Sequence, residues 1–306
     1  VLISDRLRDH LERTLAVRVT APPTRIARGY GNENWQFETD DGPMLIKVAR
    51  PHLNPEKLRM AAGAHRAAAA AGVPVPELLH VDPECPALDG RSVRVQRYVE
   101  GRHPVEVMIT DQAVRQFFRT LGETVATLHT VVADGFASRF GGRPSFARWA
   151  DYVAYRVPQI SGRLEAAGGL PGLDHRALFD RVLTLAEAVS PVVQPRLTHR
   201  DLYLDNILAG PDGGVVAVID FDIAEAWDPL ADLVKLRWQV WPDYPPAASE
   251  TFLHAYATEL PARFDDRIWI AEVLELVNYV ANGLADGGKP EFTASARHRL
   301  DQVLAA

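Results

Sequence analysis

Leu197-Thr198-His199-Arg200-Asp201-Leu202-Tyr203-Leu204-Asp205-Asn206 is followed, one short loop later, by Val216-Ala217-Val218-Ile219-Asp220-Phe221-Asp222. Asp201 and Asn206 are five residues apart, and Asp220 closes a hydrophobic run fourteen residues after Asn206. Asp-x-x-x-x-Asn alone is a frequent chance pattern. A strand that ends in a second aspartate at hairpin distance strengthens it. Phosphoryl transfer needs a carboxylate to orient and deprotonate a hydroxyl, and oxygen ligands to hold Mg²⁺ on the phosphates. Asp201 is the expected catalytic aligner or base. Asn206 and Asp220 are the expected metal ligands. His199 reads as a buried residue that holds the loop, Asp205 as a turn residue, and Asp222 as either a support for Asp220 or a surface turn.

Upstream, the chain offers a place for a triphosphate. Lys47 lies in Met44-Leu45-Ile46-Lys47-Val48, an otherwise apolar strand, and only Lys47, Lys57, Lys235 and Lys289 are lysines among 33 basic residues. With lysine so scarce, each one needs a reason. A lone lysine there is often just an edge-strand charge, but in a lysine-poor chain and after a turn-rich loop Lys47 is a good candidate to grip the α- and β-phosphates. Arg28-Gly29-Tyr30-Gly31-Asn32-Glu33-Asn34-Trp35 precedes it. Gly29 and Gly31 permit close backbone approach, and N–H groups along the loop to Asn34 could cradle phosphate. With no third glycine, neither a dinucleotide fingerprint nor a Walker loop is present.

Around these motifs the pattern is α+β. Residues 1–100 read as a leading amphipathic helix over 3–16, strands near 25–28, 35–39 and 44–48, an Ala-rich helix over 55–71 and a strand over 93–99. From residue 101 to 306 the pattern is mainly helical, with candidates at 110–131, 145–157, 174–189, 229–240, 247–259, 266–285 and 292–304. Short strands near 197, 207 and 216–219 carry the motif. Gly101 marks the expected junction between a small N-terminal lobe and a larger helical lobe.

Of the 33 basic and 40 acidic residues, 14 and 13 fall in residues 1–100, leaving 19 and 27 in residues 101–306. The acidic second half argues against nucleic acid as a partner and favours a cationic substrate, or is simply a solvated surface. The charged first fifteen residues argue against a secretory leader, and no membrane span is expected. The single cysteine, Cys85, excludes an internal disulfide and fits a reducing cytoplasm.

Taken together, the loop, Lys47, Gly72-Val73-Pro74-Val75-Pro76, Asp201, Asn206, Asp220 and Trp227-Asp228-Pro229-Leu230-Ala231-Asp232-Leu233 resemble the aminoglycoside phosphotransferase-like (choline kinase-type) family of small-molecule kinases, within the protein-kinase-like fold. The resemblance implies a bilobal fold with a hinge at about 95–101. Gln96 and Tyr98 would meet the purine of ATP or GTP through their backbone, and Asp228 and Asp232 would support the catalytic loop. Three departures stand out. Arg200 replaces the family's usual glycine and reads as structural. The glutamate expected to pair with Lys47 has no match, since Ala61 and Ala62 fill the helix centre and Glu56 lies at its start. Glu33 is an odd neighbour for anions.

For the acceptor, Glu272, Glu275, Tyr279, Asn282 and Asp286 step by three or four along one helix face. This is either a solvent face or an acidic stripe for ammonium or guanidinium groups. Trp227, Trp238, Trp241 and Tyr244 could wall such a pocket or belong to the core. The leading expectation is an enzyme that phosphorylates a cationic antibiotic, an aminoglycoside or a basic cyclic peptide of the viomycin and capreomycin type, and so confers resistance. The alternatives are a metabolic kinase of choline, homoserine, a thiosugar or a glycated amine, or a nucleotide-binding protein without turnover.

Overall fold

Leu7 and Leu11, one turn apart, bury the inner face of α1 (Ile3–Leu15) against a five-stranded antiparallel sheet. The structure is a computed structural model that describes residues 3–26, 32–50, 54–285 and 290–305. The strands are β1 (Thr24–Ile26), β2 (Asn32–Phe37), β3 (Met44–Ala49), β4 (Leu78–Cys85) and β5 (Arg91–Arg97), in the order β1-β2-β3-β5-β4. β4 was not anticipated. Its register slips between Leu78 and His80 and again between Asp82 and Cys85, which erases the alternation that marks a strand.

Helix α2 (Pro55–Ala70) is capped by the Asn54 side chain, which accepts from the Glu56 N–H. It stops at Gly72, whose φ of +89° suits a residue without a Cβ. The following segment then reaches across the molecule, with the Val218 N–H donating to the Pro74 carbonyl at 2.8 Å. One apolar core, including Phe37, Ile46, Val93 and Val95, lies within the sheet and α1. The larger core takes Ala64 and Ala68 of α2 together with the helical region.

After β5 the chain passes Gly101, where an added Cβ would lie 2.7 Å from the Leu208 Cβ, so glycine allows the junction to press on the hairpin below. That hairpin is β7 (Ile207–Ala209) with β8 (Val215–Val218); β6 (Arg196–Thr198) pairs with β9 (Glu225–Trp227) beside it. The helices are α3 (Pro104–Val107), α4 (Asp111–Leu128), α5 (Trp149–Ala166), α6 (His175–Val189), α7 (Leu233–Lys235), α8 (Pro246–Tyr256), α9 (Phe264–Ala285) and α10 (Pro290–Ala305). Residues 229–240 do not form the single helix expected. They run as a 3₁₀ turn (Pro229–Asp232), α7 and a π-helical turn (Leu236–Val240). By length and composition alone α9 could cross a membrane, which the sequence reading did not register. Here it is a core helix, packed on α5, α6 and α10. The architecture is α+β, a sheet lobe followed by a helical lobe.

Candidate active site between the sheet and the catalytic loop

The loop 199–206 is held from beneath by one buried carboxylate. Asp232 accepts from the His199 N–H at 2.8 Å, the Arg200 N–H at 2.7 Å and His129 Nε2 at 3.0 Å. Burial alone would raise the Asp232 carboxyl. The hydrogen bond from His129 and the amides outweigh it, and the group stays below the usual carboxylate range. His199, fully buried, accepts from the Asp201 N–H at its Nδ1, so its Nε2–H donates to the Ile219 carbonyl at 2.8 Å. That bond ties the loop to the strand end before Asp220.

Arg200 has a φ of +66°, a conformation that costs a non-glycine residue about 1–3 kcal/mol. Its guanidinium explains the cost. It turns inward onto Glu225 at 3.0 Å and Glu275 at 2.7 Å and stacks on the Trp227 ring at 3.8 Å. The arginine is a buried strut, as its sequence position suggested.

Asp201 is bound by two neighbours. Asn206 Nδ2 donates to the Asp201 carbonyl and to its Oδ2, both at 2.8 Å, and Lys235 Nζ pairs with Oδ1. Burial pushes the Asp201 carboxyl up, but Lys235 and Asn206 prevail and leave it below its ordinary value. Lys235 is itself buried, with Nζ 5.1 Å from the Tyr279 ring centroid. It remains charged, because Tyr279 and Asp201 outweigh the cost of burial. The sequence reading missed Lys235. Two signals pointed to it: the scarcity of lysine, and its place in the apolar run Leu233-Val234-Lys235-Leu236.

Across the cleft, the absent partner of Lys47 is Asp220 itself. Lys47 Nζ lies 3.3 Å from Asp220 Oδ1, while Glu56 pairs with Arg59 at the surface. Asp220 has a φ of +72° and a side chain 37% exposed, so its carboxylate faces the cleft. Asp222 is no surface turn residue. It accepts from Arg94 at 2.6 Å and from Asn32 at 2.9 Å, and Arg94 and Lys47 hold it well below the usual carboxylate range against its burial. Between the two acids, Phe221 is buried against His199 and His65, at centroid distances of 4.7 and 5.7 Å. Burial drives His65 down to about 4, so it stays neutral and its Nε2–H donates to the Pro76 carbonyl at 2.6 Å.

Strand register explains which residues reach this side. Asn34 lies opposite Lys47, and Lys47 opposite Arg94, so the three share one face of the sheet. Glu33 points to the other face and pairs with Arg91 at 2.5 Å, which removes the oddity of an acid beside a phosphate loop. Gly29 and Gly31 lie outside the described residues.

Two expectations need correction. Gln96 is buried within the ladder between Leu45 and Leu78, and the Tyr98 N–H is taken by the Pro43 carbonyl at 3.0 Å. The open backbone therefore begins one residue later. Among the described residues no backbone group accepts from the Val99 or Glu100 N–H. The acidic stripe of α9 also fails as an open surface. Glu272 is buried between Arg237 at 3.2 Å and Arg299 at 2.5 Å, and Glu275 is taken by Arg200. Helical spacing put both acids on one face; the arginines facing them come from other elements. Tyr279 does lie near Asp201, through Lys235, and packs on Trp238 and Phe292. Asn282 is exposed, and Asp286 lies outside the described residues. Trp227 and Trp238 are core residues.

The oxygen donors suit a hard divalent ion. With its Nδ2 spent on Asp201, the Asn206 amide oxygen accepts no hydrogen bond among the described residues. The Ile219 N–H donates to the Asn206 carbonyl at 2.9 Å, which keeps this residue beside Asp220. One neutral and one carboxylate oxygen, on residues that the Ile219–Asn206 bond holds together, match the few protein ligands that Mg²⁺ takes.

Comparison with known proteins gives the fold and the family. A homoserine kinase of Rhodospirillum rubrum is 28% identical over 214 residues, 65% of this chain and 58% of that protein, so the chain spans little more than half of this relative's length. A thermostable mutant of aminoglycoside phosphotransferase APH(4)-Ia, solved as a ternary complex with ADP and hygromycin B, superposes with a TM-score of 0.69 at 16% identity, covering 98% of each chain. A candidate fructosamine-3-kinase from Haemophilus somnus gives a TM-score of 0.70 at 14% identity, covering 97% of this chain and 96% of that one. At such identities the structural likeness establishes the fold. The family match is by sequence and covers most of the chain: over residues 23–266 it fits the phosphotransferase enzyme family, and to that family the chain belongs.

Proposed function

We propose that this chain transfers the γ-phosphoryl group of ATP or GTP directly to a hydroxyl of a small acceptor. The observation that carries this reading is the linkage of two groups: Asp201, held by Asn206 and Lys235, and Asp220, kept beside Asn206 through the Ile219 N–H and paired with Lys47 of the sheet. Asp201 aligns the acceptor hydroxyl and receives its proton as the bond to phosphorus forms. Lys235 keeps that carboxylate ionised and oriented. Lys47 exchanges Asp220 for the nucleotide phosphates, and Asn206 and Asp220 would hold Mg²⁺, which when bound neutralises charge on the phosphates. The Val99 and Glu100 N–H groups, which meet no backbone acceptor among the described residues, are the proposed edge for the purine.

For the acceptor, the internal pairing of Glu272 and Glu275 weighs against a polycationic antibiotic. We favour a compact metabolic alcohol, in line with the homoserine kinase likeness. Antibiotic phosphorylation, the first reading from the sequence, keeps the support of a fold shared with a hygromycin B complex. A nucleotide-diphosphate release assay separates the two. Homoserine and choline should stimulate turnover, whereas aminoglycosides and viomycin should not. Stimulation by the antibiotics alone would reverse the choice, and no stimulated turnover with any alcohol would overturn the kinase reading.

A further inference from the structure

On the far side of the sheet, a second group of chemically able side chains takes no part in the site described above. His10 lies on the inner face of α1, beside Leu7 and Leu11, and is buried. His80 and Asp82 are alternate residues of β4, the edge strand that α1 covers. The three offer one donor atom each, all within 4.8 Å of one another. The His10 and His80 rings have centroids 5.7 Å apart and are tilted by 58°. Cys85, fully buried at the end of the same strand, brings its Sγ to 3.4 Å from His10 Nδ1.

These spacings suit a soft-to-borderline metal ion. Around a tetrahedral centre with metal–nitrogen bonds of about 2.0–2.1 Å and a metal–sulfur bond of about 2.3 Å, neighbouring donors sit roughly 3.3–3.6 Å apart. The Cys85–His10 contact already has that separation, and the donors of His10, His80 and Asp82, within 4.8 Å of one another, need shifts of about 1.5 Å or less. Nitrogen and sulfur donors with one carboxylate exclude the hard, all-oxygen ions and select the zinc class. Asp82 Oδ1 accepts from the Glu84 N–H at 3.2 Å, which orients the carboxylate from outside. A cleft lined by His10, Arg13, Thr14, Pro86 and Ala87 opens His10 to solvent, as an entry path requires. An edge strand and its covering helix are also a place where a crosslink has mechanical use.

We propose that His10, His80, Asp82 and Cys85 form a binding site for a zinc-class divalent transition ion that clamps α1 to the edge of the sheet. The test uses the full chain, stripped with a chelator and titrated with Co²⁺. The expected result at one equivalent is a set of intense visible bands from a tetrahedral ion, with a near-ultraviolet thiolate charge-transfer band. Zn²⁺ should displace both and raise the Tm. His80 is only half-buried, so His80→Ala should fold, as circular dichroism will verify, and should lose both spectra and the Tm response. Cys85→Ser should lose only the charge-transfer band. Equal responses from the native chain and His80→Ala, or no response from either, would overturn the site. Visible bands without charge transfer in the native chain would overturn the assignment of Cys85.

Discussion

Two lysine–aspartate pairs mark the candidate site, and they are built differently. Lys235 and Asp201 both belong to the helical lobe, where Asn206 and the Tyr279 ring lock them in place. Lys47 and Asp220 come from opposite sides, one from β3 and the other from the loop after β8, and sit 3.3 Å apart with Asp220 open to the cleft. The first pair is a fixed one that keeps the Asp201 carboxyl below its ordinary value. In the proposed function, the second is a contact that nucleotide would open, since Lys47 and Asp220 are there assigned to the phosphates and the metal. The absent helix glutamate follows from this. With Asp222 neutralising Arg94 and Asp220 resting on Lys47, the charges of the sheet face are balanced without it.

Replacing the aligning carboxylate should have the largest effect. Asp201→Asn is expected to lower kcat by about 10²–10⁴-fold, with nucleotide affinity nearly kept. Steady-state kinetics and calorimetric nucleotide titration give the two readouts, and loss of affinity instead would erase the contrast between the pairs. Asp220→Asn should depress kcat and also weaken Mg·nucleotide binding in that titration.

Arg200→Met tests the strut rather than the chemistry. It leaves Glu275 buried without its ion-pair partner and Glu225 with Arg139 alone, at 3.5 Å, a change worth about 3–5 kcal/mol, read as a lowered midpoint in urea. Lys235→Met sharpens the account of Asp201. The native carboxyl is held below its ordinary value, so the ionised form contributes stability and activity that are lost only as pH falls through that depressed value. Without Lys235 the acid limb of kcat/KM should move to higher pH. A limb that stays in place would remove Lys235 from this role. Glu56→Ala should have the smallest effect, with turnover unchanged, because that acid is exposed and paired with Arg59. A clear loss of activity would restore it as the partner of Lys47.

Much of this was legible in the chain before any coordinates. The Asp201, Asn206 and Asp220 spacing, the apolar strand around Lys47 and the helical periodicity after Thr110 are local patterns, and local patterns survive in a linear text. The misreadings share another cause. Glu272 and Glu275 had the right helical spacing for a binding stripe, but their partners Arg299 and Arg200 lie 27 and 75 positions away. Gln96 and the Tyr98 N–H are engaged by the protein's own backbone because the extent of β5 depends on two neighbouring strands. β4 itself was hidden by its two register slips.

Sequence alone determined the chemistry available here: which oxygens could meet a metal and a hydroxyl, and that a lysine-poor chain kept one lysine in an inner strand. Tertiary structure decided which charge answers which. It gave Lys47 to Asp220, Lys235 to Asp201, and the two α9 glutamates to arginines. The physical reason is that a buried charge is tolerated only where an opposite one meets it, and that meeting is set by packing between elements far apart along the chain.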